Sequence, residues 1–146
     1  MAAARMRKPY TTLGRMFDAV TVATLAIQSV FIAAMTLTAY SIGAGTSRAA
    51  AMTMAFAVLG ISQIIHCYNS KLEGSLVSKK LFSNRFLNLS AALTLFIVIF
   101  LVLSPAGYLF GMTTLNLNQF AISLLLSFLV VPLCELLKLI KRTVLK

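Results

Sequence analysis

Residues 86 to 103 read Phe86-Leu-Asn-Leu-Ser-Ala-Ala-Leu-Thr-Leu-Phe-Ile-Val-Ile-Phe-Leu-Val-Leu103, eighteen positions without one charged side chain. An α-helix rises about 1.5 Å per residue, so crossing about 30 Å of hydrocarbon takes about 20 residues. Hydrocarbon offers no partner for backbone N–H and C=O groups, and a segment immersed in it must therefore be helical. Three further apolar blocks of similar length follow the same logic: Asp18 to Tyr40, Ala49 to Tyr68 and Gln119 to Ile140. The sequence predicts an all-α integral membrane protein of four transmembrane helices.

Composition agrees with that reading. Only 11% of the 146 residues are charged and 60% are hydrophobic, whereas a soluble domain carries about 25% charged residues. So few charges cannot cover a water-facing surface. The net charge of +10 does not indicate nucleic acid, because the cations stand in short clusters at the ends of apolar blocks. Four precede the first block (Arg5, Arg7, Lys8, Arg15). Four lie between the second and third (Lys71, Lys79, Lys80, Arg85), and four close the chain (Lys138, Lys141, Arg142, Lys146). The two opposite connections hold Arg48 alone. Positive residues stay on the cytoplasmic side, so both termini and the longer connection are expected in the cytoplasm. Residues 1–17 form a basic segment, 18–140 the transmembrane domain and 141–146 a basic tail. The first block is too long for a signal peptide, and three more spans follow it.

The connections carry their own punctuation. Ser41-Ile-Gly-Ala-Gly-Thr-Ser47 reads as a short turn, with Thr46 or Ser47 placed to cap the second helix. Asn69 to Asn84 reads as a polar loop. Ser104-Pro105 ends the third helix, and an uncharged loop through Gly107, Gly111, Asn116 and Asn118 leads to the fourth. Pro132 removes the backbone partner of Phe128 and should kink the fourth helix.

Polar residues at membrane depth are costly and are the natural candidates for function. In the second helix Gln63, His66 and Cys67 stand at i, i+3 and i+4 and share a face. Gly60 continues that face as a notch for a neighbouring helix. Gln63 lies past the helix centre by about 6 Å on the cytoplasmic side. Its carbonyl suits a hard cation, which prefers oxygen donors; an inter-helix hydrogen bond is the structural alternative. His66 reads as a packing or capping residue, Gln28 as an inter-helix hydrogen bond, and Glu135 as an ion-pair partner of Lys138. Cys67 and Cys134 sit in apolar blocks as small apolar residues, and neither Cys-x-x-Cys nor a His cluster suggests a structural metal. No phosphate loop, carboxylate pair or nucleophile with its base is present. The chain is not expected to be catalytic by itself, and no cofactor is expected in it.

Thr53-Met-Ala-Phe-Ala-Val-Leu-Gly-Ile-Ser-Gln63, running on to His66-Cys-Tyr-Asn-Ser70, resembles transmembrane helix eight of calcium-type P-type cation-transporting ATPases. Leu81-Phe-Ser-Asn84 and Asn88 resemble the passage into helix nine. Pro132-Leu-Cys-Glu-Leu-Leu-Lys138, with Arg142, resembles the end of helix ten, and Met6-Arg7-Lys8-Pro9 the basic linker before helix seven. The resemblance implies that the four spans are the C-terminal membrane domain of such a pump. It implies Gln63 at the family's helix-eight ion-site position, Ca²⁺ as the transported ion, and ATP and Mg²⁺ only in the parts this sequence lacks. Glutamine there is similar to the one-site plasma-membrane and bacterial pattern, which makes a bacterial plasma membrane the expected location. Helix one departs from the pattern, offering Ala19, Ala23 and Ala26 where a glycine-rich face is common.

The chain starts at Met1 where a complete pump has several hundred residues more, so a fragment, a split-gene product or a stand-alone relic is expected. As a support domain its partners are the lipid bilayer and the remaining helices and cytosolic headpiece of the pump. Alternatively, a stand-alone four-helix protein would bind or regulate an intact pump. A small multidrug exporter is a third class, but it needs a membrane-embedded carboxylate in helix one, where Asp18 stands only at the edge.

Overall fold

The computed structural model describes residues 19–71 and 85–144. They form α1 (Ala19–Ala44), α2 (Arg48–Lys71), α3 (Arg85–Leu103), a short 3₁₀ helix (Pro105–Phe110), α4 (Leu117–Phe128) and α5 (Val130–Val144). With α4 and α5 taken as one interrupted span, four helices are long and apolar enough to cross a membrane. The described residues contain no strand. The N-terminal cations, Asp18, Glu73 and most of the polar loop lie outside the described residues.

Successive spans run in opposite directions and bonds between neighbours close both ends. At one end Lys141 Nζ donates to Thr21 Oγ1 at 3.0 Å and Tyr68 Oη donates to Asn88 Oδ1 at 2.8 Å. At the other, Gln119 Nε2 donates to Thr46 Oγ1 at 3.2 Å. Thr53, buried in α2, accepts the Thr113 backbone N–H at 2.9 Å while donating to the Ala49 carbonyl. That bond ties the connection after α3 to the side of α2.

Helix α2 is the centre of the bundle. Met54, Ala57, Val58 and Ile61 pack with Ala39 of α1, Val98 and Val102 of α3, and Leu115. A second cluster joins Ile32 of α1 to Val130 and Cys134 of α5. By contrast α3 buries Val98 and Val102 and turns most of its other side chains, including Leu93, Phe96 and Phe100, outward. A stripe that narrow suits a helix whose remaining surface is solvated by lipid.

Three boundaries differ from the sequence reading. Helix α1 continues past Tyr40 to Ala44, so the turn is confined to Gly45–Ser47. Gly43 is not a breaker here: a Cβ on it would stand 2.6 Å from the Ala51 Cα, and its bare backbone lets α1 and α2 touch. Ser47 is the cap, its Oγ accepting the Ala50 N–H at 3.0 Å. Helix α2 continues through Lys71, so Asn69 to Lys71 are helical and not loop. The uncharged stretch after Ser104 winds into a 3₁₀ helix, with Ser104 Oγ accepting the Ala106 N–H and Gly111 closing it at φ 72°.

The interruption of the fourth span falls where Pro132 withdraws its N–H. The helix is interrupted at Leu129, next to Phe128, and Leu129 still bonds the Leu125 carbonyl at 3.1 Å. Leu129 keeps helical backbone angles, φ −61° and ψ −19°, so the interruption is confined to one residue.

Candidate functional site

Helix α2 is the most buried of the four spans, and one stripe of it is exposed. Met52, Leu59, Gln63 and Cys67 are exposed, with Phe56 and His66 half-buried beside them. The expected shared face of Gln63, His66 and Cys67 therefore exists, and it looks out of the bundle. Gly60 sits at its edge, where a Cβ would approach Val98 Cγ2 to 2.8 Å. The glycine notch is thus filled by α3, which leaves the polar stripe uncovered.

Gln63 lines a notch of about 230 Å³ between α1 and α2, together with Ser29, Ile32, Ala33, Leu59 and His66. Ser29 Oγ donates to the Leu25 carbonyl at 2.8 Å, so its oxygen still has acceptor capacity toward the notch. Ser29 carried no signal in the sequence, because a lone serine in an apolar helix usually bonds its own backbone. Its value comes from standing across from Gln63. On α1 the small residues Ala19, Ala23 and Ala26 are also exposed and are not covered by α2 or α5.

Hydrocarbon gives an exposed amide no hydrogen-bond partner. Gln63 supplies one carbonyl oxygen, where Ca²⁺ takes about six to eight. Among the described residues no three His, Cys, Asp or Glu side chains gather into a metal site. Glu135, one turn before Lys138 on α5, interacts with it electrostatically, as the spacing predicts.

Gln28 is placed otherwise than expected. It is 2% exposed between the Thr21–Lys141 bond and the Ile32 cluster, and its Oε1 has no hydrogen-bond partner among the described residues. Ser62 Oγ and Asn69 Oδ1 are buried on α2 in the same condition. A second hollow, of about 510 Å³ and lined by Tyr40, Met52, Ala55, Phe56, Leu101, Phe110 and Met112, continues the outward stripe of α2 toward the other end of the bundle. It is apolar, so polar recognition is concentrated at Gln63.

The family model described as "Cation transporting ATPase, C-terminus" matches residues 3–140. "Calcium-transporting ATPase 1" of Bacillus cereus is 32% identical over 94 residues, which is 63% of this chain and 11% of that protein. The chain therefore spans a small part of this relative's length. No solved structure matches it. Four apolar spans, a Gln63 face turned outward and a family match over nearly the whole length agree: the chain is a multi-pass integral membrane protein that belongs to the C-terminal domain family of cation-transporting P-type ATPases.

Proposed function

We propose that this chain is the C-terminal membrane support unit of an ATP-driven cation pump. In this reading Ca²⁺ is the cargo, a bacterial plasma membrane is the location, and the transport helices of the pump cover the Gln63 face. Gln63 then lends one oxygen to the ion path, while ATP and Mg²⁺ act only on the cytosolic headpiece. The basic end of the bundle faces the cytoplasm, because twelve of the thirteen Lys and Arg residues stand on that side of the spans.

One observation carries the reading. Gln63, with His66 half-buried beside it, looks outward at membrane depth from the span that is the most buried of the four. Exposing an amide to hydrocarbon costs several kcal/mol, and a partner helix with polar groups removes that cost. The exposed Ala19, Ala23 and Ala26 beside it permit close helix approach. The resemblance of Thr53–Gln63 to helix eight of calcium-type pumps supports the same face for the same use.

The test is complementation. A calcium pump truncated after its sixth span is co-expressed with this chain, and ATP-dependent Ca²⁺ uptake is measured in membrane vesicles. Uptake is expected to return with the chain. Gln63→Ala should leave assembly intact and raise the Ca²⁺ concentration needed for half-maximal uptake. If both proteins reach the membrane and co-purify without uptake, the support role fails. If uptake returns and Gln63→Ala leaves its calcium dependence unchanged, the ligand role of Gln63 fails alone.

A further inference from the structure

The last helix continues its buried stripe into a charged one. Val130, Cys134 and Leu137 are buried against the rest of the bundle, and Lys141 is the next residue along that line, one turn beyond Leu137. There α1 begins, and Lys141 Nζ crosses to it, donating to Thr21 Oγ1 at 3.0 Å. Arg142, beside it, is exposed. Lys138 and Arg142 stand one turn apart and repel each other, while Glu135 engages Lys138 from the membrane side. On the membrane side of Lys141 and Arg142, α5 is apolar and exposed through Leu136, Leu139 and Ile140.

We infer that the surface where the start of α1 meets the end of α5 binds the headgroup of an anionic phospholipid. Lys141 and Arg142 hold the phosphate, Thr21 fixes the Lys141 ammonium, and the acyl chains lie along Leu139 and Ile140. A lysine ammonium that gives one N–H to a hydroxyl keeps two further donors. Arginine adds a bidentate fork suited to phosphate. A lipid satisfies both halves of the surface at once, the cationic end and the apolar flank immediately below it. Free phosphate meets only the first. Basic pockets between spans at a membrane surface bind anionic headgroups in this way. The inference does not depend on the pump reading, since every residue in it belongs to this chain.

The full chain in detergent is to be mixed with equal phosphatidylglycerol and phosphatidylcholine, and the bound lipid counted by native mass spectrometry. Phosphatidylglycerol is expected to be retained preferentially, and added inorganic phosphate should displace it weakly. Each cation near a membrane surface contributes about 1 kcal/mol, or about fivefold in affinity. Lys141→Ala and Arg142→Ala should each reduce the preference about fivefold, while Lys141→Arg retains it. Arg48→Ala, at the opposite end of the bundle, should leave it unchanged. Equal retention of the two lipids overturns the inference, as does an unchanged preference in Arg142→Ala. A loss in Arg48→Ala as large as that in Arg142→Ala also overturns it, because net charge then explains the binding. Arg142 is exposed and its removal leaves packing intact, so the Arg142→Ala result decides even if Lys141→Ala does not fold.

Discussion

Gly43 offers the sharpest test of how α1 and α2 are held together. A Cβ added there would stand 2.6 Å from Ala51 Cα, 2.7 Å from Ala51 N and 2.9 Å from the Ala50 carbonyl carbon. All three are backbone atoms and none can rotate aside. Ordinary contact begins at 3.4 Å, so Gly43→Ala requires α1 and α2 to move apart locally by about 0.8 Å. A gap of that size forfeits about a quarter to a half of the dispersion energy of each contact it opens. The contacts at stake are those of the buried Ala39, Ala50, Ala51 and Met54. Overpacking of this kind costs about 1–3 kcal/mol, and replacing glycine by alanine inside a helix returns about 1 kcal/mol. Because the obstruction is backbone, the cost falls at the upper end of that range, and a net loss of about 2 kcal/mol is expected. Reversible unfolding of the detergent-solubilised chain by SDS, followed by circular dichroism, measures it. Gly60→Ala, which meets only the movable Val98 side chain, should cost less. Gly45→Ala, in the turn and facing only the Ile42 carbonyl at 3.3 Å, should lie within about 0.5 kcal/mol of the parent. If Gly43→Ala proves as stable as the parent, the close approach of α1 and α2 is wrong.

Other outcomes follow from single contacts. Thr53→Val removes the acceptor of the half-buried Thr113 N–H and should lower stability by about 1 kcal/mol, read in the same SDS titration. Hydrogen bonds with Thr114, then Thr113, hold the Tyr108 phenol below its ordinary value. Its folded pKa is thus below the unfolded one, so ionisation favours the fold, and this contribution grows as pH rises through the folded value toward about 10. Thr114→Val should move the phenol upward in an ultraviolet absorbance titration; no movement refutes the bond. Cys67 is exposed and Cys134 buried, so a membrane-permeant maleimide should modify Cys67 first. Assembly with the pump should then protect Cys67, and unchanged labelling in the assembled complex would count against the Gln63 face as the docking surface.

The four spans were legible because hydrocarbon imposes one rule on every residue in it, and uncharged runs such as Phe86–Leu103 satisfy that rule visibly. The interruption before Pro132 was legible for a similar reason, since a missing N–H has the same effect in any helix. The end of α1 was not. Gly43 carries the same letter whether it terminates a helix or admits a neighbour, and the Ala51 backbone against it decides which. Among the glutamines, periodicity placed Gln63 on a face with His66 and Cys67 without telling which way that face looks. Packing answers that: Val58 and Ile61 turn inward, and Gln63 is left outside. Gln28, equally polar and equally central in its helix, falls on the side facing Ile32 and is enclosed. The partners Thr53 and Thr113 stand sixty positions apart, and nothing local to either announces the other.

The central position of α2 bears on how the chain is made. Helix α3, uncharged from Phe86 to Leu103, can leave a translocation channel for lipid without help. Helix α2 is the least apolar of the four spans and carries Gln63, His66 and Asn69. Alone in the bilayer it would present all of these to acyl chains, and only contact with its neighbours encloses its other faces. Its integration during synthesis should therefore wait on α1, which meets it first through Gly43 and Ala51. A ribosome-bound chain ending just after Lys71 would hold this pair at the channel's side, and the arrival of α3 would release it into the membrane.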